Sequence, residues 1–190
     1  MLEPDPIAPP SGPQAQPRES IWRAILEMAV LLAVAVGVAL VVKAYVVQPF
    51  LIPSGSMERT LLVGDRVLVN KFIYRVRTPH AGDVVVFLSP DDRDVDFIKR
   101  VVAVGGQTVE LRDGTVYVDG VARAEPFVNG DVKDTYTSRQ PVKVPTGYVW
   151  VMGDNRTNSR DSRYFGPRPV GDLLGQAMCI YWPFDHLRTL

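Results

Sequence analysis

Residues 107–120 read QTVELRDGTVYVDG, a pattern that indicates the fold class of the chain. Apolar and polar residues alternate on both sides of Asp113 and Gly114, as in two half-buried β-strands. An Asp-Gly pair tolerates the positive φ angles that a tight two-residue turn requires. The stretch therefore predicts an antiparallel β-hairpin.

The same texture extends over residues 48–190. Short runs rich in valine, isoleucine and aromatic residues are separated by glycine, proline and aspartate, and no long amphipathic helical pattern interrupts them. These runs are RVLVNKFIY (66–74), DVVVFL (83–88), DFIKRVVAV (96–104) and GYVWVMGD (147–154). We expect a mostly β fold, a compact antiparallel β-domain that is partly closed so that its strand edges are hidden.

Two different segments precede this domain. Residues 1–20 contain six prolines among scattered polar residues, which predicts a disordered tail. Residues 21–47 predict one transmembrane anchor helix. Their charge-free centre, residues 28–42, is short of the ~20 residues of a full span. Snorkelling of Lys43 lengthens it, and Trp22 and Tyr45 lie where interfacial aromatic residues are expected.

Two alternatives for the apolar segment stay open. A cleaved secretory signal would explain the short apolar centre, with Val42, Lys43 and Ala44 loosely resembling a cleavage site. A long preceding region without a basic cluster argues against it. A helix buried in a soluble core is disfavoured because the run has no polar face. Basic residues flank the segment on both sides, so they do not determine its orientation.

Composition excludes several classes of function. Lysine plus arginine equals aspartate plus glutamate at 21 each, so the net charge is zero and no basic run offers a nucleic-acid footprint. A single cysteine, Cys179, excludes an intrachain disulfide and multi-cysteine zinc sites. The two histidines carry no zinc-binding spacing. We predict no metal, no cofactor and no nucleic-acid partner.

Three segments could carry chemistry. In PFLIPSGSMERTL (49–61), Gly55 lets the backbone turn tightly between Ser54 and Ser56, which makes a hydroxyl accessible. A flexible linker is the alternative, although linkers seldom carry so many apolar residues. MGDNRTNSRDSRYFGPRP (152–169) is dense in short polar residues and arginines. It suits either a solvated surface loop or a hydrogen-bonded shell around a catalytic centre, and composition does not separate the two.

The third segment, residues 96–104, holds two adjacent cations. Strand alternation places Lys99 on one face with Phe97 and Arg100 on the other. Both cations could reach solvent at a strand edge. Alternatively, one is buried, and a buried lysine loses proton affinity until it becomes a usable base, which an arginine cannot do.

Together these segments resemble the bacterial type I signal peptidases (leader peptidases), a family with a serine-lysine dyad. The motifs are SGSMERTL, DFIKRVVAVGG and GDNRTNSRDSR, and GDVVVF and YWPFD match the family as well. They occur in the right order and spacing from about Val47 to the end of the chain. The resemblance implies a membrane-bound serine endopeptidase that removes signal peptides from exported preproteins. It would be a single-pass plasma-membrane protein with a cytoplasmic tail and an extracytoplasmic catalytic domain, so its partners would be signal peptides and the lipid bilayer.

The resemblance also implies a role for individual residues. Ser56 matches the nucleophile, Lys99 the general base, and Ser54 the hydroxyl that forms the oxyanion hole with the Ser56 N–H. Ser159 matches a serine that hydrogen-bonds the lysine, and Asp161 and Arg163 match a supporting ion pair. The apolar pockets for small substrate residues would be built from Ile52, Met57, Leu61, Phe97 and Ile98.

Three positions depart from the family pattern. The family usually has proline at Arg59, aspartate at Thr157 and Pro-Gly-Asp at residues 105–107. These changes put local turn geometry in question rather than the reaction. Two other functions remain open. One is a soluble self-cleaving repressor-type protein with the same dyad, which the apolar helix disfavours. The other is a catalytically inactive membrane-tethered binding module of the same fold, which the presence of both dyad residues disfavours.

Overall fold

The computed structural model describes residues 21–92, 94–128 and 139–190, so the predicted tail lies outside the described residues. The chain divides into two units after Leu40: the described part of the first is residues 21–40, and the second is residues 41–190. Helix α1, Ile21–Tyr45, begins in the first unit. Its stretch Ile21–Lys43 is long and apolar enough to cross a membrane. The described side chains of α1 are exposed, and none of this stretch is buried. The helix ends before residue 47, the predicted boundary.

The second unit consists of antiparallel strands with short helical turns. The strands are β1 Val47–Leu51, β2 Arg66–Asn70, β3 Val84–Leu88, β4 Asp96–Val104, β5 Thr108–Arg112, β6 Thr115–Val118, β7 Val121–Ala122, β8 Arg139–Lys143, β9 Tyr148–Met152, β10 Arg168–Pro169, β11 Leu173–Trp182 and β12 Arg188–Thr189. Two one-turn helices, α2 Ile73–Val76 and α3 Ser162–Phe165, lie between them, together with 3-10 turns at Gly55–Met57, Val170–Asp172 and Phe184–His186.

The strands form two sheets. The larger sheet has the order β1-β2-β11-β3-β4-β9-β10, with β12 paired to β11, and the smaller has the order β7-β6-β5-β8. Every strand pair is antiparallel. The predicted antiparallel β-domain behind one apolar helix is therefore confirmed.

Strand β4 lies inside the larger sheet, between β3 and β9. Val85 of β3 is opposite Lys99, and Met152 of β9 is opposite Arg100. Both cations are buried, at 4% and 8% exposure. The interpretation that they reach solvent at a strand edge is wrong, because β4 has a neighbour on each side.

The predicted hairpin is confirmed as β5 and β6. Arg112 and Thr115 are paired, and the turn residues Asp113 and Gly114 have φ angles of 46° and 79°. The run RVLVNKFIY is only half a strand: β2 ends at Asn70, whose side chain accepts hydrogen bonds from the Phe72 and Ile73 backbone and starts the turn into α2. The prediction of one continuous β-run over residues 66–74 is therefore wrong.

One core cluster supports the part of the domain that precedes β2. Ile52, Met57 and Leu61 pack there against side chains of β2, β3, β4 and β11. Burying such apolar side chains contributes about 1.5–3 kcal/mol each. The loop after β1 is therefore held to the sheet by its own apolar residues, which fixes the position of the serines between them.

Candidate active site

The turn that carries Ser56 follows β1 directly. Ser54 is exposed and extended (φ −140°, ψ 155°), and Gly55–Met57 then form a single 3-10 turn closed by a hydrogen bond from the Glu58 N–H to the Gly55 carbonyl. Ser56 is 7% exposed, and Met57 beside it is fully buried. The turn therefore fixes the Ser56 hydroxyl at the inner side of the loop instead of presenting it to bulk water.

Lys99 of β4 points at this hydroxyl. The Lys99 Nζ to Ser56 Oγ distance is 2.7 Å, and Nζ also donates to the Ile98 carbonyl at 2.8 Å. The Phe97 ring centre lies 5.2 Å from Nζ. Burial lowers the pKa of Lys99 from its ordinary 10.5 to about 8, and the charges of Asp161 and Asp154 offset only part of this effect. Its free amine can accept the Ser56 proton across the 2.7 Å contact.

Gly153, just after β9, packs against both serine-bearing segments. A Cβ atom at this position would lie 2.2 Å from Ser159 Oγ and 2.5 Å from the Ser56 carbonyl oxygen. Side-chain atoms never approach so closely, so this point of contact between the two segments accommodates only glycine.

The pair of Asp161 and Arg163 lies behind Gly153. Arg163 Nε and Nη2 each donate to an Asp161 oxygen at 2.8 Å, and both side chains are fully buried. Asp161 also accepts from the Gly153 N–H at 2.9 Å and from the Ser159 hydroxyl at 2.8 Å. Burial raises the pKa of Asp161, but these hydrogen bonds and the Arg163 charge outweigh it and hold that pKa below its ordinary value.

Ser159 is predicted to hydrogen-bond the lysine. In the structure its hydroxyl donates to Asp161, while the Lys99 amine donates to Ser56 and to the Ile98 carbonyl. A hydroxyl beside a buried carboxylate donates its proton to the charged oxygen, because charge-assisted hydrogen bonds are the stronger ones.

Arg100 forms a separate ion pair on the other face of β4. Its Nε and Nη2 donate to Asp154 at 2.9 and 2.7 Å, and its Nη1 donates to the Gly82 carbonyl at 2.9 Å. Asp154 is fully buried and also accepts from the Thr60 hydroxyl at 2.5 Å. Asp154 thereby ties β4 to the chain just beyond the Ser56 turn.

A cavity of about 270 Å³ lies between the end of β1 and the beginning of β4. Three of the five predicted pocket residues line it, namely Ile52, Phe97 and Ile98. Met57 and Leu61 are fully enclosed in the core cluster that contains Ile52 and Ile98. The structure therefore places these two residues in the support of the cavity wall and not in its lining, because their apolar side chains are fully used in packing. Among the described residues, no group of three or more His, Cys, Asp or Glu side chains is arranged to hold a metal ion.

Comparison with known proteins agrees with these motifs. The family model described as "Signal peptidase, peptidase S26" matches residues 25–182. A "Probable signal peptidase I-1" from Synechocystis is 40% identical over 177 residues, covering 90% of this chain and 89% of the relative. The chain belongs to the signal peptidase family. A "Signal peptidase I" from Mycobacterium tuberculosis is 36% identical over 223 residues, covering 88% of this chain and 76% of that protein. Among solved structures, a signal peptidase I from Enterococcus faecalis matches 54% of this chain and 99% of its own, with 30% identity and a TM-score of 0.46.

Arg59 is the departure from the signal peptidase pattern with the clearest structural consequence. Its φ angle is +75°, whereas a proline ring fixes φ near −65°. Arg188 of β12 donates to the carbonyls of Arg59 and Thr60 and holds this conformation. The chain after the serine turn therefore follows a path that a proline at this position does not permit.

Several residues of the site were missed by sequence reasoning. Gly153, Asp154 and Asn155 all lie in the quoted GDNRTNSRDSR motif, but nothing in the sequence pattern assigns each of them a partner about 100 residues away. Arg156 is also buried, and it pairs with Glu125 at 2.6 Å and donates to the Gly153 carbonyl at 3.1 Å. The available signal was the density of charged residues in a short motif. It was compatible with a hydrogen-bonded shell as well as with a surface loop, and it did not indicate which residues contact one another.

Proposed function

We propose that the chain is a membrane-anchored serine endopeptidase that removes signal peptides from exported preproteins, with Ser56 as nucleophile and Lys99 as general base. Membership of the signal peptidase family supports the reaction. The observation that carries the assignment of residues is the 2.7 Å contact between the Lys99 amine and the Ser56 hydroxyl. The pKa of Lys99, lowered to about 8, agrees with it.

The first chemical step would form an acyl-enzyme. Ser56 Oγ attacks the scissile carbonyl while Lys99 Nζ takes its proton, and the oxyanion is held by the Ser56 N–H and the Ser54 hydroxyl. Lys99 then gives the proton to the departing amine, and water hydrolyses the ester. At pH 7 a lysine of pKa about 8 is unprotonated in roughly a tenth of the molecules, against fewer than about one in a thousand for an ordinary lysine.

The substrate would bind as an extended strand. β1 is an edge strand of the larger sheet, and the cavity at its end is lined by residues that include Ile52, Phe97 and Ile98. An edge strand offers main-chain hydrogen bonds to a peptide, and apolar pockets beside it select side chains by size. We propose that this cavity accepts the small residues that precede the cleavage site.

The membrane location is also part of the proposal. The apolar helix α1 would cross the plasma membrane once, with the tail in the cytoplasm and the β-domain outside. Ser56 follows the last residue of α1 by only about ten positions. An active site tethered so closely suits a substrate whose own apolar segment is embedded in the same bilayer.

The test is cleavage of a preprotein by the full chain in detergent or in lipid vesicles. We expect the preprotein to shift to its mature size, with cleavage after a small residue as read by mass spectrometry. Ser56→Ala should abolish this shift while its thermal unfolding matches that of the parent. Binding of the preprotein without any cleavage by the parent would instead support the alternative, an inactive membrane-tethered binding module.

A further inference from the structure

Asn155 contacts the serine turn through both its backbone and its side chain. Its N–H donates to the Ser56 carbonyl at 3.1 Å, and its Nδ2 donates to the Gly55 carbonyl at 3.0 Å. These two carbonyls belong to the peptide groups on either side of the Ser56 Cα. One residue therefore holds both peptide planes of the nucleophile.

The planarity of the peptide bond gives the contact with the Gly55 carbonyl a chemical consequence. The Gly55 carbonyl and the Ser56 N–H belong to one trans peptide group, so they point in opposite directions. A hydrogen bond that fixes the carbonyl also fixes the direction of the N–H. In the proposed reaction this N–H is one of the two donors to the oxyanion.

The orientation of the Asn155 amide is set by its neighbours. Nδ2 faces two acceptors, the Gly55 carbonyl and the Glu58 carboxylate, the latter at 2.9 Å. Oδ1 faces a donor, the Thr157 hydroxyl, at 3.3 Å. A flipped amide would bring Oδ1 against two oxygens, so only one orientation satisfies all three contacts.

We propose that Asn155 is a positioning residue of the oxyanion hole, which acts by anchoring the Gly55 carbonyl so that the Ser56 N–H points at the oxyanion. The inference rests on the proposed peptidase function. Asn155 reaches the reacting atoms only through this peptide group, and its contacts do not include Lys99. Losing the Asn155 amide should therefore weaken binding of the transition state without changing the protonation of Lys99.

The experiment compares Asn155→Ala and Asn155→Asp with the parent in steady-state cleavage of a peptide substrate. Removing one oxyanion donor outright costs about 10²–10³-fold in kcat, so turning it out of line should cost about 10–100-fold. KM should change by less than about threefold, because the hydrogen bond from the Ser56 N–H to the oxyanion strengthens only in the transition state. The acid limb of kcat/KM against pH should stay in place. Asn155→Asp should be the worse variant, since its carboxylate would face the Gly55 carbonyl and Glu58.

A second readout separates orientation of the N–H from general support of the loop. A peptide trifluoromethyl ketone adds to Ser56 and places an oxyanion in the hole, whereas an uncleavable peptide of the same sequence does not. Affinity for the ketone should fall in parallel with kcat, and affinity for the plain peptide should be unchanged. Asn158→Ala and Asn158→Asp are the matched controls, because Asn158 is an exposed asparagine of the same loop. Both should cleave like the parent.

The possible failures are distinguishable. If the parent neither cleaves the preprotein nor forms the ketone adduct, the proposed function fails and this inference fails with it. If the parent is active and both Asn155 variants match it, the inference alone is overturned. It is also overturned if both peptides lose affinity equally or if the acid limb moves, because Asn155 would then support the loop or the base and not the oxyanion hole.

Discussion

The two faces of strand β4 handle a buried cation in opposite ways. Arg100 meets Asp154 through two parallel hydrogen bonds, while the adjacent Lys99 has a neutral hydroxyl and a carbonyl as hydrogen-bond partners. A buried charge with an opposite partner is compensated, and removing either partner would leave an uncompensated charge in the interior. A buried cation without a bonded carboxylate is driven toward its neutral form instead. One strand thus carries a structural ion pair on one face and a candidate base on the other.

Exchanging the two types of cation tests the different roles of Lys99 and Arg100 most directly. We expect Lys99→Arg to lower kcat/KM by about 10⁴-fold or more, because a guanidinium stays protonated and the dyad acts as one unit. Arg100→Lys should keep activity within about tenfold, although a lysine forms one contact where the guanidinium forms two. It should cost about 2 kcal/mol of stability. Preprotein cleavage and urea unfolding measure the two effects, and equal losses of activity in the two variants would contradict the division of roles.

The sequence accounts well for the parts of the molecule that local chemistry controls. The Asp113-Gly114 turn follows from the positive φ angles those residues tolerate. Lys99 stood out because a strand with adjacent cations forces one of them toward an apolar face. Motif resemblance then selected Ser56 as its partner, and the two lie in hydrogen-bond contact.

The rest depends on contacts between distant segments. Asn155 meets the serine turn only because β9 pairs with β4 and brings residue 153 and its neighbours to that place. Strand β11 was not among the predicted runs because register shifts at Ala177 and at Ile180 break its alternation. Ser159 was assigned to Lys99 by the family pattern, whereas the proximity of Asp161 decides where its proton goes. The order of the strands in the sheet and the acceptor that a hydroxyl selects do not follow from local sequence patterns.

Gly153 packs between the Ser56 turn and the segment that carries Ser159, so adding a side chain there tests how closely the serine turn must fit. In Gly153→Ala the new Cβ would lie 2.2 Å from Ser159 Oγ and 2.5 Å from the Ser56 carbonyl, so one segment must move. We expect kcat to fall by about 10²-fold or more, since a displacement of about 1 Å in an active site has effects of that size. Gly171→Ala is the matched control, because nothing lies within 4 Å of a Cβ there. If both variants kept full activity, the serine turn could move to make room for a side chain at residue 153 without losing its function.

The protonation of Lys99 gives a third test, of intermediate size. The acid limb of kcat/KM against pH should titrate at about 8, because only the free amine accepts the serine proton. Phe97→Asn brings a polar group and water beside Nζ, so the limb should move to higher pH and activity at pH 7 should fall by about tenfold for each pH unit of movement. Phe97→Leu keeps the apolar cover and should leave the limb near 8. A flat profile between pH 6 and 10 in the parent would rule out Lys99 as the base.

The same pKa predicts how stability depends on pH. Between about pH 8 and 10.5 the unfolded chain holds a proton on Lys99 that the folded chain has lost, so stability rises with pH across this window. A pKa drop from 10.5 to about 8 corresponds to about 3 kcal/mol. Urea unfolding of the parent should show this rise relative to Lys99→Met, and parallel curves for the two proteins would show that Lys99 is not desolvated in the folded state.

The smallest effect on activity should come from the Arg100 face. Asp154→Asn keeps the shape of the side chain but leaves Arg100 buried without its opposite charge, and breaking a buried pair costs about 3–5 kcal/mol. We expect that loss in the free energy of unfolding, while kcat at a temperature where the variant is folded stays within about threefold of the parent. The acid limb should move slightly to lower pH, because the Asp154 charge raises the pKa of Lys99. The matched control is Asp91→Asn, which removes the carboxylate of an exposed pair with Arg160 and should change stability by less than about 1 kcal/mol. A large loss of kcat in folded Asp154→Asn would mean that the Arg100 pair takes part in positioning the dyad, and the two faces of β4 would then form one functional unit.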